Sequence, residues 1–144
     1  MVASGQQGTG TARHITLVWL DSHDAIVARL DGGEKLPIEL PYLVQAWHFG
    51  DTLAMVFLPG EVVVDYSLRL KKEFDPARLW VNAWANDAPC YIPSKRILKE
   101  GGYEGGYAMI YYDRPTKLAE PVEDLIVGAV HKLLPKEFAR TAAV

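Results

Sequence analysis

At Pro59-Gly60 the hydrophobic rhythm of this chain changes. Thr52 to Leu58 is a nearly continuous apolar run, and after the break Val63, Tyr66, Leu70 and Phe74 recur at helical spacing. A short apolar run bounded by turn residues reads as a buried strand, and apolar positions three or four apart read as one face of a helix. The chain is therefore expected to place a helix against a sheet. Lys71 and Lys72 fall in the last turn of that helix, where cations oppose the carbonyl end of its dipole, and Asp75-Pro76 stops it.

Strand signals precede the break. Ile15 to Leu20 and Ala25 to Leu30, separated by Asp21-Ser22-His23-Asp24, predict a hairpin closed by Asp31-Gly32-Gly33. Tyr42 to Phe49 and Thr52 to Leu58 predict a second hairpin with Gly50-Asp51 as a two-residue turn and the latter strand well buried. Beyond the helix, Leu79 to Ala85 reads as a buried strand ending in the loop Asn86-Asp87-Ala88-Pro89, and a short turn or helix is expected near Ser94 to Leu98. A last helix starts near Pro121, with Glu123 and Asp124 at its positive end, and Pro135 ends it. Its expected core face is Val122, Leu125, Ile126, Ala129 and Leu133. The class is α+β, or a mixed-sheet α/β layer, with hairpins and two main helices. Topology is not fixed by these signals.

The first 13 residues are rich in Gly, Ser, Thr and Gln and are expected to form a flexible lead-in to a single domain over 14–144. With 49% hydrophobic residues in 144, the chain can bury a core. A formal charge of -3, with Lys and Arg scattered among acids, argues against a nucleic-acid partner. No stretch reaches the roughly 18 apolar residues of a spanning helix, and the opening residues carry no export signal, so the compartment stays unknown. Cys90 is the single cysteine and cannot form an internal disulfide.

Three places could carry chemistry. Glu61 follows Pro59-Gly60 and reads either as a helix-start acid, worth roughly 0.3–1 kcal/mol through the free N–H groups of the first turn, or as a site residue at the carboxyl end of a strand. Tyr91 lies within Ala85 to Pro93, at the end of another buried strand, where it could be a core or rim aromatic. Tyr103 sits between Gly101-Gly102 and Gly105-Gly106 on what reads as a loop, within the doubled unit EGGYEGGY that leads into Ala108 to Tyr112. Two copies are too few for a repeat fold, and the glycines lack the Lys-Ser/Thr end of a phosphate loop. Trp47, Trp80 and Trp84 could line a pocket or fill the core.

Taken in order, FLPGEVVVDYSLRLKKEF, LWVNAWANDAPCYIPSKR and EGGYEGGYAMIYY resemble the end of the catalytic domain of the neutral/alkaline non-lysosomal ceramidase family. The likeness runs from roughly Leu40 to Phe138, about two thirds of the chain, and is nearest to bacterial ceramidase-like proteins. The resemblance implies a zinc amidohydrolase in which two histidines, a glutamate and a tyrosine hold the metal. The family's Pro-Gly-Glu motif falls on Glu61, and its Ala-Asn-x-x-x-x-Tyr motif ends on Tyr91. Its Tyr-Glu-Gly motif, twelve positions further on, falls on Tyr103, which by resemblance stabilises the oxyanion. The implied reaction is hydrolysis of the amide of ceramide-like N-acyl lipids, and family members are often secreted or membrane-associated.

The chain departs from the family at the histidines. The family's His-x-His context and its second histidine segment are missing, and His14, His23, His48 and His131 stand in no matching motif. The pocket's arginine and serine contributions also lie outside the chain. The expectation is half of a zinc site, with weak metal binding and little amidase activity in the chain alone, its partner being the missing N-terminal part of the same domain. The polar opening adds the expectation of an interrupted or fragmentary reading of a longer parent. Two other readings stand beside this one: a non-catalytic α+β binding or interaction module, and Cys90 as a nucleophile, for which no histidine partner context follows.

Overall fold

The computed structural model describes residues 24–140, so the lead-in and the apolar run Ile15 to Leu20 lie outside the described residues. The architecture is α+β. A three-stranded sheet of order β1-β2-β4 is formed by β1 (Gln45–Phe49), β2 (Leu53–Phe57) and β4 (Leu79–Asn82). β2 lies in the middle, antiparallel to β1 and parallel to β4. Its Ala54 and Val56 have no exposed surface while Leu53, Met55 and Phe57 are partly exposed, which is the period-two pattern of a strand with one buried face. A two-stranded parallel sheet pairs β3 (Glu61–Val62) with β5 (Tyr91–Ile92).

Helix α2 (Val64–Glu73) follows β3 and presents the expected face. Tyr66, Leu70 and Phe74 are buried, and Val63 packs against them from the position before the first turn. Helix α5 (Val122–Leu133) joins the same core but is rotated from the expected stripe. Ile126, Val127 and Val130 are buried, whereas Leu125 is 71% and Leu133 45% exposed. The sequence contains two apolar stripes on this helix, and polar contacts select one. The Glu123 carboxylate accepts from Arg69 Nη1 of α2 at 2.8 Å and from the Lys95 backbone N–H at 2.7 Å, which turns Glu123 inward. Phe138 completes the core, fully buried, under the Arg78 guanidinium at 5.1 Å.

Several expectations are corrected. Residues 24–31 form a helix, α1, where a strand was expected. Its end is set by Gly33, at φ 76°, with Gly33 N–H donating to Leu30 O and Glu34 N–H to Arg29 O. That left-handed closure is a helix terminator rather than a hairpin corner, and Ala and Arg favour the helix locally. The second hairpin pairs Phe49 with Leu53, so its loop has three residues, Gly50 to Thr52. The strand from Leu79 stops at Asn82 and lies at a sheet edge with Trp80 58% exposed. Trp47 and Trp84 are also half exposed, so none of the three tryptophans belongs to the core. Among the described residues no helix is long and apolar enough to cross a membrane.

Candidate functional site

Leu58, just past β2, is fully buried, and Gly60 then carries the chain through φ 78° beside the segment before Tyr91. Gly60 N–H donates to Asp87 O at 2.8 Å, Gly60 O accepts from Trp84 N–H at 3.0 Å, and Glu61 N–H donates to Cys90 O at 3.0 Å. A β-carbon on Gly60 would stand 2.5 Å from Cys90 O. Only glycine fits this crossing, and the crossing sets the register in which Glu61 and Tyr91 are direct partners. Paired residues of a ladder project to the same side, so the carboxylate and the phenol stand next to one another. Glu61 is thus a strand residue that precedes the helix, which corrects its reading as a helix-start acid.

The tyrosine at 103 arrives from another direction. Ser94 accepts from Ile97 N–H and starts α3 (Lys95–Glu100), and Gly101 and Gly102, both at φ 75°, turn the chain into the single-turn α4 (Gly102–Gly105). Tyr103 therefore lies on a short helix where a loop was expected. Gly105 lets α4 lie on α3, since a β-carbon there would meet Ile97 O at 2.6 Å. The Tyr103 ring then stands edge-on to the Tyr91 ring with centroids 5.3 Å apart. All three residues singled out by motif are brought together.

A fourth group joins them that the sequence did not reveal. Tyr112, at the end of the 3-10 turn Tyr107–Tyr112, donates its hydroxyl to Glu61 Oε1. Its ring stands edge-on to Tyr91 at 6.3 Å. The stretch AMIYY reads as an apolar run, and the partner lies 51 residues away, so no local pattern marks it. The nearby Glu61 carboxylate, which bonds the Tyr91 hydroxyl, raises that phenol well above its ordinary range, with burial adding to it. Burial first, and then the bond to Glu61, push the Tyr112 phenol up to about 12. Both hydroxyls stay protonated at neutral pH as long as only Glu61 faces them.

Glu61 and Tyr91 open on a cleft of about 340 Å³ whose wall also includes Asp65, Trp84, Arg96 and Glu104. Arg96 is bonded to carboxylates on both sides, to Asp65 at 3.0 Å and to Glu100 at 2.8 Å. The Arg96 guanidinium, and then the Ser94 hydroxyl, hold the Asp65 carboxyl below its usual range. A folded pKa below the unfolded value stabilises the fold above about pH 4 and is lost as acid protonates the folded group. The wild-type protein is accordingly expected to lose stability on acidification from about pH 5 more steeply than Asp65→Asn, by urea unfolding at several pH values. Parallel pH profiles for the two proteins would refute this role of Asp65.

Of the ligands that the resemblance implies, the glutamate and tyrosine positions, Glu61 and Tyr91, are the ones found among the described residues. Among the described residues no group of three or more His, Cys, Asp or Glu side chains could hold a metal ion. His131 Nε2 lies 2.5 Å from Glu73 Oε2, with its ring against Phe74. His48 is exposed on β1, and His14 and His23 lie outside the described residues. Cys90 is fully buried, and burial pushes its thiol up to about 11, the opposite of what activates a nucleophile. Against known proteins, no family model matches the chain, and no curated protein and no solved structure matches it either.

Proposed function

We propose that the chain is a segment of a zinc amidohydrolase catalytic domain of the neutral-ceramidase type, cleaving the amide of ceramide-like N-acyl lipids. In this reading Glu61 and Tyr91 are two of the metal's ligands and Tyr103 stabilises the oxyanion. The observation that carries it is convergence: residues chosen by motif, 30 and 12 positions apart in the chain, meet as a β-ladder pair and a ring contact of 5.3 Å. A random placement of a glutamate and two tyrosines gives no reason for this meeting.

The donor set fits half of a four-ligand zinc site, and the nitrogen donors must come from outside residues 24–140. Zinc, when bound, lowers the pKa of its water toward 7 and polarises the substrate carbonyl. This chain's own groups supply the rest. Glu61 offers a carboxylate fixed on a strand, and the Tyr91 phenol beside it can ionise only if a cation replaces the carboxylate's influence. Tyr103 is 52% exposed, and in this reading its O–H reaches a carbonyl oxygen that develops charge, a contribution commonly worth about 3 kcal/mol.

Titration calorimetry with zinc alone tests the reading. The chain is expected to bind zinc weakly and saturably, with Glu61→Gln and Tyr91→Phe each weakening it about tenfold or more. Zinc binding that neither change alters would sink it. Tight stoichiometric zinc, or turnover of an N-acyl substrate by the chain alone that Glu61→Gln abolishes, would sink the half-site form of it.

One observation favours a non-catalytic binding module instead. The Glu61 carboxylate already has hydroxyl partners in Tyr112 and Tyr91, so the cluster is satisfied without any ligand. Under that reading the cluster is structural, and Glu61→Gln lowers stability while leaving zinc binding as it was.

A further inference from the structure

Tyr112 is the last residue of the string EGGYEGGYAMIYY and carries no role in the functional reading, yet it donates a hydrogen bond onto the Glu61 carboxylate from another element. Glu61 lines the cleft, and Tyr112, which does not, bonds its Oε1. The chain around Tyr112 is anchored on the residues that follow it. Arg114 Nε donates to Pro89 O at 3.1 Å, which ties this segment to the loop leading into Tyr91. Asp113, at φ 51°, accepts from Arg29 of α1 at 3.3 Å. The Tyr112 ring packs on the core and meets Tyr91 edge-on. Its hydroxyl therefore projects from a fixed frame.

We infer that Tyr112 is a positioning residue for Glu61: its hydroxyl engages Oε1 and limits the rotation by which the carboxylate would exchange its two oxygens at the cleft wall. This rests on the proposed zinc half-site for its consequence, though the positioning itself is a property of the apo chain. A carboxylate free to rotate presents either oxygen, or both, and loses preorganisation. Hydrogen bonds from outside the ligand set hold ligating carboxylates in place, and removing them typically costs 10–100-fold in metal affinity.

Tyr112→Phe removes the hydroxyl and keeps the ring, and the experiment reads two quantities in the full chain. The first is the side-chain rotamer distribution of Glu61 by NMR couplings without metal: one rotamer is expected in the wild type and averaging in Tyr112→Phe. The second is zinc affinity, with the metal alone as probe, in wild type, Tyr112→Phe, Glu61→Gln and the double variant. Tyr112→Phe is expected to weaken zinc about tenfold, and the double variant to be no weaker than Glu61→Gln, since the tyrosine acts only through the carboxylate. A merely structural tyrosine would instead weaken zinc by the same factor in both backgrounds.

A single unchanged Glu61 rotamer in Tyr112→Phe overturns the inference whatever zinc does. So does unaltered zinc affinity in Tyr112→Phe when Glu61→Gln lowers it. Should Glu61→Gln leave zinc binding intact while Glu61 averages in Tyr112→Phe, the zinc reading falls and the positioning stands.

Discussion

Gly60→Ala should destabilise the protein by roughly 3 kcal/mol or more and separate Glu61 from Tyr91. The left-handed backbone alone, φ 78°, disfavours a β-carbon by about 1–2 kcal/mol. The steric term is larger, because the added carbon would meet Cys90 O at 2.5 Å and Ile92 Cγ1 at 3.2 Å. A backbone carbonyl cannot rotate aside as a side-chain tip can. This carbonyl also receives the Glu61 N–H, so relieving the clash breaks the ladder. Gly50→Ala is the control: φ is 55° there, but nothing stands within 4 Å, so only the conformational cost of about 1 kcal/mol should appear. Urea unfolding of both variants decides the matter. Equal losses would mean that the close approach to Cys90 O carries no weight.

Tyr66→Ala should cost about 3–5 kcal/mol, among the largest single losses available in this core. Tyr66 has no exposed surface and is the largest of the fully buried side chains. It stands on α2 and donates its hydroxyl to Pro93 O at 3.1 Å, just past β5. Two effects can be separated along a series. Tyr66→Phe keeps the ring and strands the Pro93 carbonyl, a loss of about 1–2 kcal/mol. Tyr66→Ala adds the cavity. Thermal unfolding should rank wild type, Phe and Ala in that order, and a Phe variant as unstable as Ala would show that the hydroxyl, not the packing, dominates.

How much of this was legible in the chain differs by element. Helix α2 was readable because Val63, Tyr66, Leu70 and Phe74 make its longest apolar row, which outweighs the shorter pair Val64 and Leu68 that stays exposed. Helix α5 had two, and the choice depended on Arg69 and the Lys95 N–H meeting Glu123, contacts made across the fold. The stretch 24–31 misled because Ile26-Val27 looks strand-like, while its Gly32-Gly33 pair ends a helix as readily as it turns a hairpin.

The site followed the same division. Glu61, Tyr91 and Tyr103 could be named because each sits in a local motif with fixed spacing. That Glu61 lies on a strand was hidden, since a strand of two residues leaves no period to detect. Tyr112 was hidden for a different reason: a hydroxyl in an apolar run declares its partner only when the chain has folded. Asp65 with Arg96 was equally silent, being a pair of ordinary surface charges until Ser94 and the cleft place them.

The pairing of β3 with β5 spans two residues on each side, which makes the register of the site separable from the survival of the fold. A slip of one position would set Val62 opposite Tyr91 and send the carboxylate to the other face, while the pairing of β2 with β1 and β4 does not depend on it. Fidelity at Glu61 is thus guarded at a single junction, the passage of Gly60 under Cys90 O. Variation there can erase the site in a protein that still folds around its main core but melts lower, so screens for folded protein alone will not find the variants that matter.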